Sequence, residues 1–171
     1  MKNTGFKKLK GPILIVLLLI LVLKVFPRLG LYTYLFDRGS YEALSLGPSE
    51  PVADLDQLTP RTKDLAEKFL YQCKTQGLEV KIVETYRPQE RQNWLYSQGR
   101  TRDGAIVTWT RNSRHSSRYA FDICKSGPDP YGDTDFFRKC AEIGSDLGLN
   151  CGYFWADNQD MGHYQYDTWW N

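Results

Sequence analysis

Eleven consecutive apolar residues, Ile13 to Leu23, lie near the start of this chain, inside the stretch PILIVLLLILVLKVF between Gly11 and Pro27. A helix built from them is apolar all round, so it cannot pack as the one-sided helix of a soluble domain. It belongs in a bilayer or in a secretion signal. A spanning helix wants ~20 apolar residues, a length reached here only if Lys24 snorkels outward and residues 29–34 anchor at the interface. The following KVFPRLGLYTYLFD offers no small-x-small cleavage site, which favours an uncleaved anchor over a removed signal. Lys2, Lys7, Lys8 and Lys10 precede the first acidic residue, Asp37. The positive-inside rule then keeps residues 1–11 in the cytoplasm and sends everything after about Arg28 outside. The expectation is one transmembrane helix, a single pass through the cytoplasmic membrane, and an extracytoplasmic or periplasmic domain.

That outer part must bury a core of its own. With 42% hydrophobic and 14% aromatic residues it has the material, which excludes a disordered chain. The formal charge of +2 is small and concentrated at the N-terminus, so no nucleic-acid partner is expected. Cys73, Cys124, Cys140 and Cys151 would lie in an oxidising compartment, where one or two disulfides are the expected outcome. No C-x-x-C occurs among them, which disfavours a zinc knuckle, and four cysteines allow three complete pairings that spacing does not rank.

Residues 28–56, with Gly39, Gly47, Pro48 and Pro51 and no sustained period, read as a juxtamembrane stalk, and the folded domain as residues 57–171. Thr59-Pro60 makes a cap and first-turn pair for a helix with Leu65, Phe69, Leu70 and Cys73 on one side and Gly77 at its close. LEVKIVETYR alternates like a strand with one covered face. PQERQNWLYSQG reads as a short helix from Pro88 to Gly99. AIVTW and YAFDIC read as strands, TDFFRKCAEIGSDLG as a helix capped by Asp133, and LNCGYFW and HYQYD as two more strands. Helices and strands in this mixed order, without βαβ alternation, predict an α+β fold with a mainly antiparallel sheet and packed helices.

Both histidines of the chain stand near carboxylates. His115 precedes Asp122 by seven residues in SRHSSRYAFD, and His163 follows Asp160 in QDMGHYQYD. A loop histidine and a strand aspartate seven apart can converge on one ion, and a second histidine would complete a three-residue zinc site with an open fourth position, the catalytic arrangement. By spacing alone, a hydrogen-bonded surface histidine is the plainer account of each.

Read together, however, three blocks in the region from about Thr59 to Asn171 resemble one family. ETYRPQERQNWLYSQGRTRDGAIVT is similar to its strand, helix and Ile-Val-Thr run. Ser113, His115, Ala120 and Asp122 fit its S-x-H-x-x-G-x-A-x-D pattern. DMGHYQY resembles its Asp-Met-Pro-His-Phe-Gln ending. The family is that of the zinc D-alanyl-D-alanine carboxypeptidases and L-alanyl-D-glutamate endopeptidases, which trim peptidoglycan stem peptides and share their fold with the Hedgehog signalling domain. The resemblance implies Zn²⁺ held by His115, Asp122 and His163, with Asp160 as general base and Arg87 as the group that stabilises the oxyanion. Ser113 would bind substrate or orient other groups. Arg118 stands where the family has glycine, so either the loop is rebuilt or Arg118 enters the cleft and reads the acidic stem peptide. Asp at position 160 and the short His-Tyr-Gln ending resemble the endopeptidases more than the carboxypeptidases. The expected function is therefore a membrane-anchored zinc peptidase cutting the L-Ala-D-Glu bond. The alternatives are a D-Ala-D-Ala carboxypeptidase of the same family, or a non-catalytic zinc or cell-wall-binding module, against which the joint presence of Asp160 and Arg87 speaks.

Overall fold

The computed structural model of the chain describes residues 10–20, 39, 41, 44 and 47–167. Two units separate, one of them residues 39–167. In the other, helix α1 (Lys10–Ile20) carries the first part of the apolar run, with Leu14 to Ile20 exposed. At 11 residues it is about half the length a bilayer needs. Among the described residues no helix is long and apolar enough to cross a membrane, so the expected transmembrane helix is not seen as such. Residues 21–27, Lys2, Lys7 and Lys8 lie outside the described residues, as does most of the expected stalk.

The larger unit is α+β, as the mixed order of elements predicts. Helix α2 (Pro60–Thr75) starts where Thr59 Oγ1 accepts the Thr62 N–H at 3.3 Å, and Gly77 follows it with φ +74°. Strand β1 (Val80–Glu84), helix α3 (Gln89–Ser97), strand β2 (Ala120–Lys125) and helix α4 (Thr134–Asp146) come next. The cap of α4 is Asp133, whose carboxylate accepts the Phe136 N–H at 2.9 Å. Short strands β3 (Asn150–Cys151) and β4 (His163–Gln165) complete an antiparallel sheet of order β1-β2-β4-β3.

Two expected strands differ. AIVTW forms no strand: its apolar residues Ile106, Val107 and Trp109 are exposed, so no covered face rewards the alternation. LNCGYFW is a strand only at Asn150 and Cys151, after which Gly152–Phe154 turns as a 3₁₀ helix.

Because side chains alternate across a strand, β2 and β4 each serve two faces. Phe121, Ile123 and Tyr164 join Phe69 of α2 and Phe137 of α4 in the core. The Tyr164 ring stacks on Phe121 at 5.4 Å and meets Phe69 at 4.7 Å. Asp122, His163 and Gln165 belong to the opposite face. At the far edge, Glu84 sits past an irregularity in the β1 register, which brings it level with Asp122. Part of the stretch read as stalk also packs here: the Thr85 hydroxyl donates to the carbonyls of Val52 at 3.0 Å and Asp54 at 2.7 Å.

The expected disulfides are not formed. All four cysteines are buried free thiols. Cys124 shares the face of Asp122 and so lies across the sheet from the helix-side cysteines. Cys151 Sγ donates to the carbonyl of Ala141, and burial pushes this thiol up to about 12. Cys140 is held far above the usual thiol range, first by its hydrogen bond with Cys73 and then by burial.

Candidate metal centre

Asp122 and His163 are directly opposed in the β2–β4 register, and His115 reaches them from the loop before β2. His115 Nε2 and His163 Nδ1 each lie 3.0 Å from Asp122 Oδ1 and 3.2 Å from one another. Hydrogen bonding on the far side of each ring decides what those atoms present. His115 Nδ1 lies 2.9 Å from the Thr85 carbonyl, which only accepts, so the hydrogen of the neutral ring sits on Nδ1 and the lone pair on Nε2. Gln165 Nε2 donates to Asp167 Oδ1 at 2.6 Å, which turns Gln165 Oε1 toward His163 Nε2 at 3.0 Å. That oxygen takes the His163 Nε2–H and leaves the lone pair on Nδ1.

Two imidazole lone pairs and a carboxylate oxygen therefore point at one another inside 3.2 Å, an arrangement that repels unless a cation or a proton sits among them. These donor atoms all lie within 4.8 Å of each other, and nitrogen, nitrogen, oxygen is a set that suits zinc. Each ring is oriented through its other nitrogen, as in metal sites whose ligands are held by outer partners. The charges respond accordingly. Burial alone would raise the Asp122 carboxyl, but His115 and His163 reverse that and hold it well below the carboxylate range. Burial alone would lower His163, but the hydrogen bond and charge of Asp122 raise it above its ordinary value.

The triad opens into a cleft of about 700 Å³ that is also lined by Arg87, Ser113, Trp155 and Asp160. Asp160 is tied to the site through its backbone, its carbonyl accepting the His163 N–H at 3.2 Å and its N–H donating to the Gly152 carbonyl at 3.1 Å. A Cβ at Gly152 would collide with the Asp160 carbonyl oxygen, so this close approach needs glycine. Desolvation first, and the Asp122 charge second, raise the Asp160 carboxyl above its ordinary value. Ser113 Oγ accepts the His115 N–H at 3.3 Å, so it shapes the turn that carries the histidine.

Arg87 is held on three sides. Its Nε and Nη2 both donate to Glu84 Oε2, at 2.9 and 2.5 Å, Nη2 also reaches Asp122 Oδ2 at 3.1 Å, and Nη1 donates to Gln92 Oε1 at 3.0 Å. Glu84, 3% exposed, and Gln92, fully buried, are members of the site that spacing did not reveal. The signal available was a carboxylate on a strand just ahead of Arg87 and Arg91, and Arg91 does bond the other Glu84 oxygen at 2.5 Å.

Arg118 is not part of the cleft lining. Its guanidinium donates to Gln57 O at 2.8 Å and Gln57 Oε1 at 2.6 Å and lies over the rings of Tyr41 and Tyr86, at 3.8 and 3.6 Å. In this structure Arg118 makes an anchoring contact to Gln57 rather than lining the cleft. Its φ of +67° is the left-handed backbone that glycine adopts freely, so the position keeps the conformation expected of a glycine while carrying an arginine.

The family described as VanY, D-alanyl-D-alanine carboxypeptidase, matches residues 55–171. The peptidoglycan L-alanyl-D-glutamate endopeptidase CwlK of Bacillus subtilis (strain 168) is 30% identical over 120 residues, 62% of this chain and 71% of that relative. In fold, the chain resembles the crystal structure of the Serratia marcescens L-Ala D-Glu endopeptidase ChiX, with a TM-score of 0.53 at 18% identity, over 66% of this chain and 83% of that one.

Proposed function

The chain belongs to the VanY family of D-alanyl-D-alanine carboxypeptidases, and from that premise we propose that it is a zinc peptidase cutting peptidoglycan stem peptides at the L-alanyl-D-glutamate bond. The observation that carries the metal is the convergence of His115 Nε2, Asp122 Oδ1 and His163 Nδ1, with both rings oriented from behind. Zinc bound there supplies a Lewis acid that polarises the scissile carbonyl and acidifies water.

The remaining work falls to the chain. The Asp160 carboxylate, beside the triad, takes the proton of the attacking water and hands it to the leaving amine. Arg87 brings a positive charge to the cleft wall next to Asp122, where the carbonyl oxygen gains negative charge. Glu84 and Gln92 fix that guanidinium so that little reorientation is needed during reaction. Ser113 holds the His115 turn. Support for the L-alanyl-D-glutamate bond comes from the named activity of CwlK and from the aspartate at position 160. The family's own description favours the second reading, a D-Ala-D-Ala carboxypeptidase.

We further infer that the run between Gly11 and Pro27 holds the enzyme at the outer face of the cytoplasmic membrane as an uncleaved anchor, since Leu14 to Ile20 are all apolar and exposed. The domain of residues 57–171 would carry the chemistry.

Digestion of purified peptidoglycan, with mass spectrometry of the new ends, tests the reaction. New N-terminal glutamate is expected. Release of free D-alanine alone would establish the carboxypeptidase reading, and no new ends with zinc loaded would overturn both.

A further inference from the structure

Beside the metal triad, one wall of the cleft is formed by Ile106, Val107, Thr108 and Trp109. Trp109 is 63% exposed, and Val107 and Ile106 are 53% and 40% exposed. So large an apolar surface left in water beside a polar site is a cost that the fold itself does not require.

The lip is nevertheless held in place. Buried Gln92 donates to Thr110 O at 2.6 Å and to Thr108 Oγ1 at 3.3 Å, and Arg100 Nη2 donates to Thr108 O at 3.1 Å. Gly99, at φ +71°, lets the Ile106 backbone approach more closely than a Cβ would permit. One guanidinium borders the indole: Arg100 lies 5.9 Å from its centroid and 3.9 Å from that of Tyr96, the ring that Arg111 also covers at 4.6 Å. An exposed aromatic face on a pinned backbone, with a planar donor at its edge, is a preorganised surface for a ligand.

We propose that this lip, centred on Trp109, is a subsite for a hexopyranose ring of the glycan to which the stem peptide is attached. The proposal rests on the peptidoglycan reading above. The C–H groups on the face of a sugar ring carry partial positive charge and complement the negative face of the indole, while hydroxyls at the ring edge accept from arginine N–H groups. Alanyl and glutamyl residues offer no comparable flat face to cover a tryptophan. A stem-peptide carboxylate alone would use the arginines and leave the indole bare. The lip therefore selects glycan-linked stem peptides over free ones.

The test compares an N-acetylmuramyl-tetrapeptide with the same tetrapeptide carrying only a lactyl amide at its N-terminus, so that both lack an ammonium and differ in the sugar alone, using the zinc-loaded full chain and its Trp109→Ala and Trp109→Phe variants. Trp109→Ala should raise KM for the sugar-linked substrate roughly 10-fold and leave kcat, and both constants for the lactyl peptide, within a factor of two. Trp109→Phe should recover most of the loss, since a smaller ring still stacks. An equal loss on both substrates would overturn the proposal by making Trp109 a peptide contact, and no change on either would overturn it outright. Wild-type enzyme inactive on both substrates would instead overturn the peptidase reading on which the proposal stands.

Discussion

On β2, Phe121 and Ile123 turn toward α2 and α4, while Asp122 between them turns to His115 and Arg87; on β4, Tyr164 turns to the helices and its neighbours His163 and Gln165 turn away. The two faces of these strands differ in what they ask of a side chain. The helix face asks for volume: Phe69, Phe121 and Tyr164 fill one space without a specific donor or acceptor between them. The cleft face asks for orientation, because both rings of the triad and the Arg87 guanidinium are fixed by hydrogen bonds that a shift of an ångström would break. Fold and chemistry are thus separable on opposite sides of the same backbone, and substitutions should divide along that line.

The sharpest division is expected at Asp160. Asp160→Asn keeps its shape and its backbone contacts but cannot take a proton, so activity should fall by ~10² to 10⁴ while zinc content and thermal unfolding stay at wild-type values. Wild-type activity should decline as acid protonates Asp160, and the variant should lose that limb of the kcat profile. A variant that retained wild-type activity with metal bound would remove Asp160 from the reaction.

Phe121→Ala probes the other face of the residue pair. Truncating a fully buried core phenylalanine costs about 3–5 kcal/mol, read from urea unfolding, whereas the folded fraction should keep its zinc and its KM. Loss of zinc affinity out of proportion to unfolding would show that the two faces are coupled through β2.

The smallest effect is expected farthest from the cleft. Asp133 caps α4 and pairs with Lys125, and these contacts, the lysine first, depress its carboxyl. A depressed carboxyl adds stability that is fully present above its unfolded value near 4 and is lost as pH falls through the folded value. Asp133→Asn should therefore lower the urea midpoint slightly at pH 7, and the gap should close in acid. Activity per folded molecule should not change.

The core face was the more legible in sequence, since apolar spacing, the Thr59-Pro60 start and the Asp133 cap are local signals. The His115, Asp122 and His163 set was not readable from spacing, which left each histidine as a plausible surface residue; the three sequence blocks taken together pointed to it. Glu84 and Gln92 escaped because their partners are distant in sequence and a buried charge looks like an exposed one until its arginine is located. AIVTW misled for the opposite reason: it carries a strand pattern but faces the cleft. At position 118 a glycine-like backbone was foreseeable, and the arginine's outward turn onto Gln57 and Tyr86 was not.

His163 is held by a closed circuit. In one direction it donates to Gln165, which donates to Asp167; in the other its ring meets Trp155 at 5.2 Å, Trp155 Nε1 donates to Asn150 at 2.7 Å, and Asn150 donates to the second oxygen of Asp167 at 2.7 Å. The two arms do different work: the Gln165 arm decides which nitrogen of the ring carries the hydrogen, and the Trp155 arm packs against its face. The exposed Asp167 is where both arms meet, which makes a surface carboxylate the shared point of failure for a buried ligand.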